Sequence, residues 1–279
     1  MIYSLESLRP NPVYPTYPPY HVGDYLEDYF YKKYLNEDQS ILRDFIAISW
    51  TTLYVQNQTQ EIQPFLNSLD QNKKYFTILQ HDDAPLHKLP KDTLCFGAGG
   101  NYRGNNVIPI PLICSPLNVE YTEQDRSILA SFVGSNTHNI RLKIANNFSQ
   151  KDDCFIYVKN WSPTVPQNDF YMFLDAAVKS KYMLCPRGYG LNSFRLYECF
   201  QLGCVPVVIS DQFYLPWTDE LNWDDFAILI HENEIDTAYK KLKSIPDEKY
   251  KKMKQIGKEI YKQYFSMDGV YQNILKRLK

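Results

Sequence analysis

The run from Lys181 to Ile235, KYMLCPRGYGLNSFRLYECFQLGCVPVVISDQFYLPWTDELNWDDFAILIHENEI, constrains the fold more than any other part of the chain. Tyr182–Cys185 is apolar and of strand length. Pro186, Arg187, Gly188 and Gly190 then break it into a loop, and Ser193 stands where a helix N-cap belongs. Arg195–Leu202 reads as a helix that can turn Leu196, Cys199, Phe200 and Leu202 to a sheet, with Gly203 as its stop. Val205–Ile209 is a second strand, β-branched and apolar. Strand, glycine loop, helix, strand is the crossover unit of a parallel sheet, so the fold class is α/β. The same unit sets Arg187, Arg195 and Glu198 around the carboxyl end of a strand. Open α/β sheets bind ligands at that end, helix N-termini attract phosphate there, and arginine forks grip it.

The upstream half also alternates strand and helix. A helix is expected over Val22–Leu35, a strand over Phe45–Trp50, a helix over Glu61–Asn72, and strands over Tyr75–Leu79 and Thr93–Phe96. Val107–Ile113 carries two prolines and suits a sheet edge or a linker. Residues 1–20, rich in Pro and Tyr, read as an extended arm. The polar residues 114–127 lead to a second half. There, Ile128–Gly134 is a strand, Ile140–Phe148 a helix, Cys154–Val158 a strand and Phe170–Ser180 a helix, ahead of the unit above and of helices over Asp236–Lys243 and Asp247–Tyr264. Two domains are expected, 1–125 and 126–279, with a C-terminal helix able to return to the first.

Composition excludes several classes. With 279 residues, 44% hydrophobic content and a net charge of −2, the chain is globular, and the near-neutral balance argues against nucleic acid as main partner. No stretch is apolar enough to span a membrane and the N-terminus has no signal-peptide pattern, so a soluble, cytoplasmic protein is expected. The six cysteines form no C-x-x-C pair and read as reduced core residues.

Three arginines, Arg141, Arg187 and Arg195, fall at loop-to-helix junctions in the second half. They suit a diphosphate, with Glu198 placed for a ribose hydroxyl; surface arginines in loops are the alternative. Gly188 and Gly190 fit neither G-x-G-x-x-G nor a Walker loop, which disfavours a nicotinamide oxidoreductase or an ATP site. Asp82 and Asp83 follow a strand of the first half and suit a general base, a turn or a metal-binding pair, the last also open to Asp152-Asp153 and Asp224-Asp225. Gly97–Gly100 serves either a turn or close approach to a ligand.

The C-P-R-G loop, S-x-R, glutamate, G-C-V-P-V, aspartate, L-P-W and W-x-x-F of the Lys181–Ile235 run resemble the exostosin family of glycosyltransferases, with Trp217 where Phe is usual. SFVGSNTHNIR resembles that family's S-F-x-G element and following arginine, and the likeness extends over about 22–264. The resemblance implies a GT-B fold of two Rossmann-like domains facing a central cleft, acceptor side first and nucleotide-sugar side second. It implies an inverting, metal-independent transfer from a UDP-sugar, xylose being the leading sugar, to an oligosaccharide or glycoprotein glycan. On matching positions, Gly134, Ser135, Arg141, Arg187, Gly188, Ser193, Arg195 and Glu198 make the donor site, with the arginines on the diphosphate and Glu198 on the ribose. Asp82 or Asp83 is the expected base. A non-catalytic nucleotide-sugar or glycan-binding protein of the same fold is the competing expectation.

Overall fold

A computed structural model describes residues 1–11, 26–36, 41–83, 85–102, 106–117, 119, 126–162 and 165–279. The first sheet is formed by β1 (Ile2–Tyr3), β2 (Asp44–Ile46), β3 (Tyr75–Leu79), β4 (Thr93–Gly97) and β5 (Val107–Pro109), in that spatial order and with every pairing parallel. Its helices are α1 (Leu26–Tyr34), α2 (Trp50–Val55) and α3 (Ile62–Ser68). The second sheet contains β6 (Ile128–Ser135), β7 (Cys154–Lys159), β8 (Ser180–Pro186), β9 (Val205–Ser210) and β10 (Ile228–His231), interleaved with α4 (Asn139–Phe148), α5 (Gln167–Val178) and α6 (Phe194–Gln201). α7 (Ile235–Lys243), α8 (Asp247–Ile260) and α9 (Met267–Leu278) follow. Central strands buried on both faces read as continuous apolar runs: every residue of β3 and of β9 is buried. The expected pair of Rossmann-like α/β units is therefore present.

The order of the second sheet decides where a ligand belongs. It runs β10-β9-β8-β6-β7, all parallel. From β6 the chain steps outward to β7, then crosses back to β8 on the other side. This reversal makes the carboxyl ends of β6 and β8 a topological switch point, the crevice in which open α/β sheets bind ligands. Among the described residues the first sheet follows chain order without such a reversal.

Several local expectations are corrected. The apolar run ending at Trp50 is a strand only over Asp44–Ile46, and Trp50 already starts a helix. The indole Nε1 of Trp50 donates to Thr77 Oγ1 (2.9 Å), and Thr51 N donates to Glu27 (2.9 Å), so polar anchors end the strand early. Residues 2 and 3, read as part of an arm, pair with β2 as an edge strand. The helix expected over Val22–Leu35 is described only from Leu26, and the junction at residues 120–125 lies outside the described residues, as do residues 12–20 of the expected arm. β10 and α9 are elements that the sequence reading did not separate. After α8 a π-helical turn, Tyr261–Phe265, leads to α9, and Ser266 caps α9 by accepting a hydrogen bond from Gly269 N (3.1 Å). α9 then packs on α1: the rings of Phe30 and Tyr271 lie 4.8 Å apart, and Leu42 N donates to Leu278 O (3.3 Å).

Candidate active site at the β6/β8 switch point

A cleft of about 260 Å³ opens at the ends of β6 and β8 and reaches the loop after β3 in the first unit. Gly134, Ser135, Arg141, Gly188, Ser193, Arg195 and Asp82 line it, so the structure gathers seven of the residues singled out by sequence. Ser193 occupies the N-cap position of α6, yet its side chain makes no capping hydrogen bond.

The three arginines behave differently. Arg141 is a brace. Its Nη1 donates to the Ser135 carbonyl (2.8 Å), its Nε to Arg187 O (3.1 Å) and its Nη2 to Pro186 O (3.3 Å). One guanidinium thus ties the two strand ends of the switch point together. A β-carbon on Gly188 would lie 3.0 Å from Arg141 Nη2, so a side chain there crowds the brace. Arg187 is not brought to the cleft. Its Nη1 donates to Asp211 Oδ1 (2.5 Å) and its Nη2 to Tyr189 O (3.2 Å). Burial alone would raise the Asp211 carboxyl, but the hydrogen bond and charge of Arg187 outweigh it and hold Asp211 below its ordinary value.

Arg195 is the arginine with capacity to spare. It is 9% exposed, donates from Nη2 to Val133 O (2.8 Å) and stacks on the Phe173 ring at 3.6 Å. Its Nη1 stands 3.4 Å from Glu198 Oε2. Arg195 Nε, Arg195 Nη1 and Glu198 Oε2 are buried without a hydrogen-bond partner. Buried polar atoms of this kind are normally satisfied, and unfilled ones cost stability unless a ligand or water meets them. Glu198 is 2% exposed; burial raises its carboxyl and the Arg195 charge opposes that. Both residues also line a smaller adjoining hollow with Lys159, Asp169, Phe170 and Phe173, in which Lys159 and Asp169 are ion-paired.

Asp82 faces these groups from the other unit. Among the described residues its carboxylate has no hydrogen-bond partner, and burial followed by the charge of Asp83 pushes it up to about 6. Asp83 is engaged: Oδ1 accepts from Asn101 Nδ2 (2.8 Å) and Oδ2 from Tyr189 Oη (3.0 Å). The Gly97–Gly100 stretch is what allows the two units to meet. A β-carbon on Gly190 would lie 2.6 Å from Asp82 Oδ1 and 2.8 Å from Gly99 O, and one on Gly99 would lie 2.1 Å from the Asp82 α-carbon. Backbone passes backbone there at a distance only glycine permits. Asn192 fastens the contact, donating from Nδ2 to Ala98 O (2.8 Å) and Ile110 O (3.2 Å), and Tyr214 Oη donates to Gly97 O (2.8 Å).

Sequence reasoning missed Asn192, Thr137, Tyr189, Gly190 and Trp161 as parts of this site. Asn192 sits in the L-N-S step of the glycine loop, but nothing in one sequence shows that its amide crosses to the other domain. Among the paired acids, Asp153 accepts hydrogen bonds from Tyr239 (3.1 Å) and Lys243 (2.9 Å). Among the described residues, no group of three His, Cys, Asp or Glu side chains is placed to hold a metal ion, and no helix is long and apolar enough to cross a membrane.

A family model for the exostosin GT47 domain matches residues 92–245, which includes the cleft residues named above other than Asp82. A probable glycosyltransferase of Arabidopsis thaliana is 33% identical over 124 residues, covering 44% of this chain and 25% of its own length. A probable beta-1,4-xylosyltransferase of the same plant is 32% identical over 108 residues, 39% of this chain and 24% of its own. An exostosin-1 homolog of Caenorhabditis elegans is 39% identical over 66 residues, 24% of this chain and 17% of its own. The chain spans about a quarter of the length of the first of these relatives. Among solved structures, the pneumococcal O-GlcNAc transferase in complex with UDP and GlcNAc is 11% identical with a TM-score of 0.42, covering 91% of this chain and 59% of that one.

Proposed function

The chain belongs to the exostosin GT47 family, and from that premise we propose that it is an inverting glycosyltransferase moving a sugar from a UDP-sugar to a glycan hydroxyl. The observation that carries the reading is the buried Arg195–Glu198 ion pair at the switch point, with three polar atoms left without hydrogen-bond partners. In this reading Arg195 takes a diphosphate oxygen and Glu198 a ribose hydroxyl. The amino end of α6, beginning at Phe194 beside Ser193, adds N–H groups and positive dipole. Arg141 keeps the ends of β6 and β8 in register, and Gly134, Ser135 and Gly188 let the phosphates approach the backbone. Arg187 holds Asp211 rather than the donor.

Inversion needs one base, on the face of the sugar opposite the leaving group. Asp82 is that base: its carboxylate takes the proton of the acceptor hydroxyl, the hydroxyl oxygen bonds to the anomeric carbon, and the bond to the diphosphate breaks as UDP leaves. The charge that develops on UDP is met by a fixed guanidinium and helix dipole, so the transfer proceeds without a metal ion. Xylose is the donor sugar in this proposal, as in the printed name of one relative; glucuronic acid, named for another, is the competing donor. Incubation of the protein with UDP-xylose or UDP-glucuronic acid, with chelator and without acceptor, tests the reading through release of UDP and the anomer of the freed sugar. Release from UDP-xylose as the inverted anomer is expected. Release only with added divalent metal, or with retained configuration, counts against it.

A further inference from the structure

Two large aromatic side chains at the rim of the cleft are left exposed: Trp161 is 64% exposed and Tyr189 is 63% exposed, and both line the same opening as Asp82. An aromatic ring in water at a cleft mouth, beside convergent polar groups, is a common mark of a binding surface. Tyr189 is also held in place. Its Oη donates to Asp83 Oδ2 (3.0 Å), a contact between the two units, and its carbonyl accepts from Arg187 Nη2 (3.2 Å). The ring therefore stands fixed next to the carboxylate that has no partner.

From this we propose that Tyr189, Asp83 and Asn101 form an acceptor subsite for a neutral pyranose ring, with Trp161 lining the same opening. The inference rests on the transferase reading and specifies its acceptor. One face of a pyranose presents axial C–H bonds, which suit the negative face of an aromatic ring, while its hydroxyls point outward from the rim. A carboxylate offers about four lone-pair sites. Among the described residues Asp83 spends one on Asn101 and one on Tyr189, so it can still accept from sugar hydroxyls, and the Asn101 amide oxygen is open to another. A ring stacked on Tyr189 and bonded at its edge to Asp83 places a neighbouring hydroxyl at Asp82. Two carboxylates beside the platform repel an acidic sugar, so the ring is neutral.

An immobilised panel of neutral oligosaccharides (xylan, cellulose and galactan fragments) and of glucuronate-ended ones, probed with labelled protein in the presence of UDP, tests this. UDP affinity is measured in parallel by calorimetry. Wild-type protein is expected to be retained on neutral members. Tyr189→Ala is expected to lower retention at least tenfold and Tyr189→Phe a few-fold, since the latter keeps the ring and loses only the bond to Asp83. UDP affinity and melting temperature should stay within twofold and about a degree in both variants. Equal retention of wild type and Tyr189→Ala, or preference for glucuronate-ended members, overturns the subsite. Protein that binds UDP but no neutral glycan overturns the subsite alone. Protein retained through Tyr189 that binds no UDP upholds the subsite and defeats the transferase reading.

Discussion

Arg195 and Glu198 stand one helical turn apart on α6, Nη1 to Oε2 3.4 Å, and both are buried with polar atoms to spare. A buried pair of this kind gives little net stability, but removing one partner strands the other charge. Arg195→Ala is expected to destabilise the fold by about 3–5 kcal/mol. Glu198→Gln keeps a polar group of the same shape, and its effect on stability should stay near ~1 kcal/mol. Both substitutions should weaken UDP binding, by about 1.5–3 kcal/mol for Arg195. Urea melts and calorimetric titration separate the two effects.

Arg187 gives the contrasting case. Its guanidinium is occupied by Asp211 and by the Tyr189 carbonyl and is not part of the cleft lining. Arg187→Ala is expected to change UDP affinity less than threefold, and to return Asp211 toward its ordinary titration range. Carboxyl-detected NMR titration and calorimetry report the two. A loss of UDP binding as large as that of Arg195→Ala would show that Arg187 reaches the donor.

Asp82 carries a pH signature. Burial, followed by the Asp83 charge, pushes it up to about 6. A base must be deprotonated, so the rate of transfer should fall as pH drops through about 6. Stability runs the other way. A carboxyl whose folded pKa is raised contributes fully below its unfolded value, and that contribution is lost as pH rises through the folded value. Asp82→Asn should therefore abolish transfer, leave UDP affinity unchanged, and raise the melting temperature at pH 8 by an amount that vanishes near pH 4. A shift of about two units corresponds to up to ~3 kcal/mol, and residual solvent exposure makes ~1–2 kcal/mol the expected gain.

Glu27 extends the same logic to the loop that presents Asp82. It is fully buried on α1 and accepts from Gln80 N (2.8 Å), Thr51 N (2.9 Å) and Thr51 Oγ1 (2.8 Å). Burial raises it to about 7 against the lowering effect of these bonds. Its contribution to stability is lost as pH rises through about 7. Glu27→Gln turns an amide donor toward backbone donors and should cost about 1–3 kcal/mol at pH 6. It should also flatten the fall in stability between pH 6 and 8, as read by thermal melts across that range.

How much of this was legible in the sequence follows from the range of each interaction. β8, its glycine loop, α6 and β9 were readable because local chemistry alone marks them: an apolar run, Gly188 and Gly190, helical spacing and Val205–Ile209. A C-terminal helix returning to the first unit is an expectation of the sequence, but α9 as an element of its own was hidden because a π-helical turn rather than a proline or glycine separates it from α8. β10 was hidden because only four residues of an apolar run form it. The sequence marks the arginines as a class, but their division into brace, ion pair and open site depends on the Ser135 and Val133 carbonyls and on Asp211. Asn192 and the Gly99–Gly190 crossing belong to the meeting of two domains, which no local pattern encodes.

The Gly99–Gly190 crossing also predicts a sharp outcome. Gly190→Ala places a methyl group 2.6 Å from Asp82 Oδ1 and 2.8 Å from the Gly99 carbonyl. The second contact is backbone, so the units must separate or Asp82 must move. Transfer should fall on the order of a hundredfold through that misplacement, with UDP binding within threefold of wild type because Arg195 and Glu198 are untouched. Steady-state rates set beside UDP titrations test the split.

The most direct test of the central claim is calorimetric titration of UDP, in the presence of chelator, into the wild-type protein and into Arg195→Ala at a temperature where melts show both folded. Saturable one-site binding to wild type, weakened at least tenfold in the variant, is the predicted result. No binding to wild type, or equal affinity in the two proteins, would contradict the assignment of the β6/β8 switch point as a UDP-sugar site.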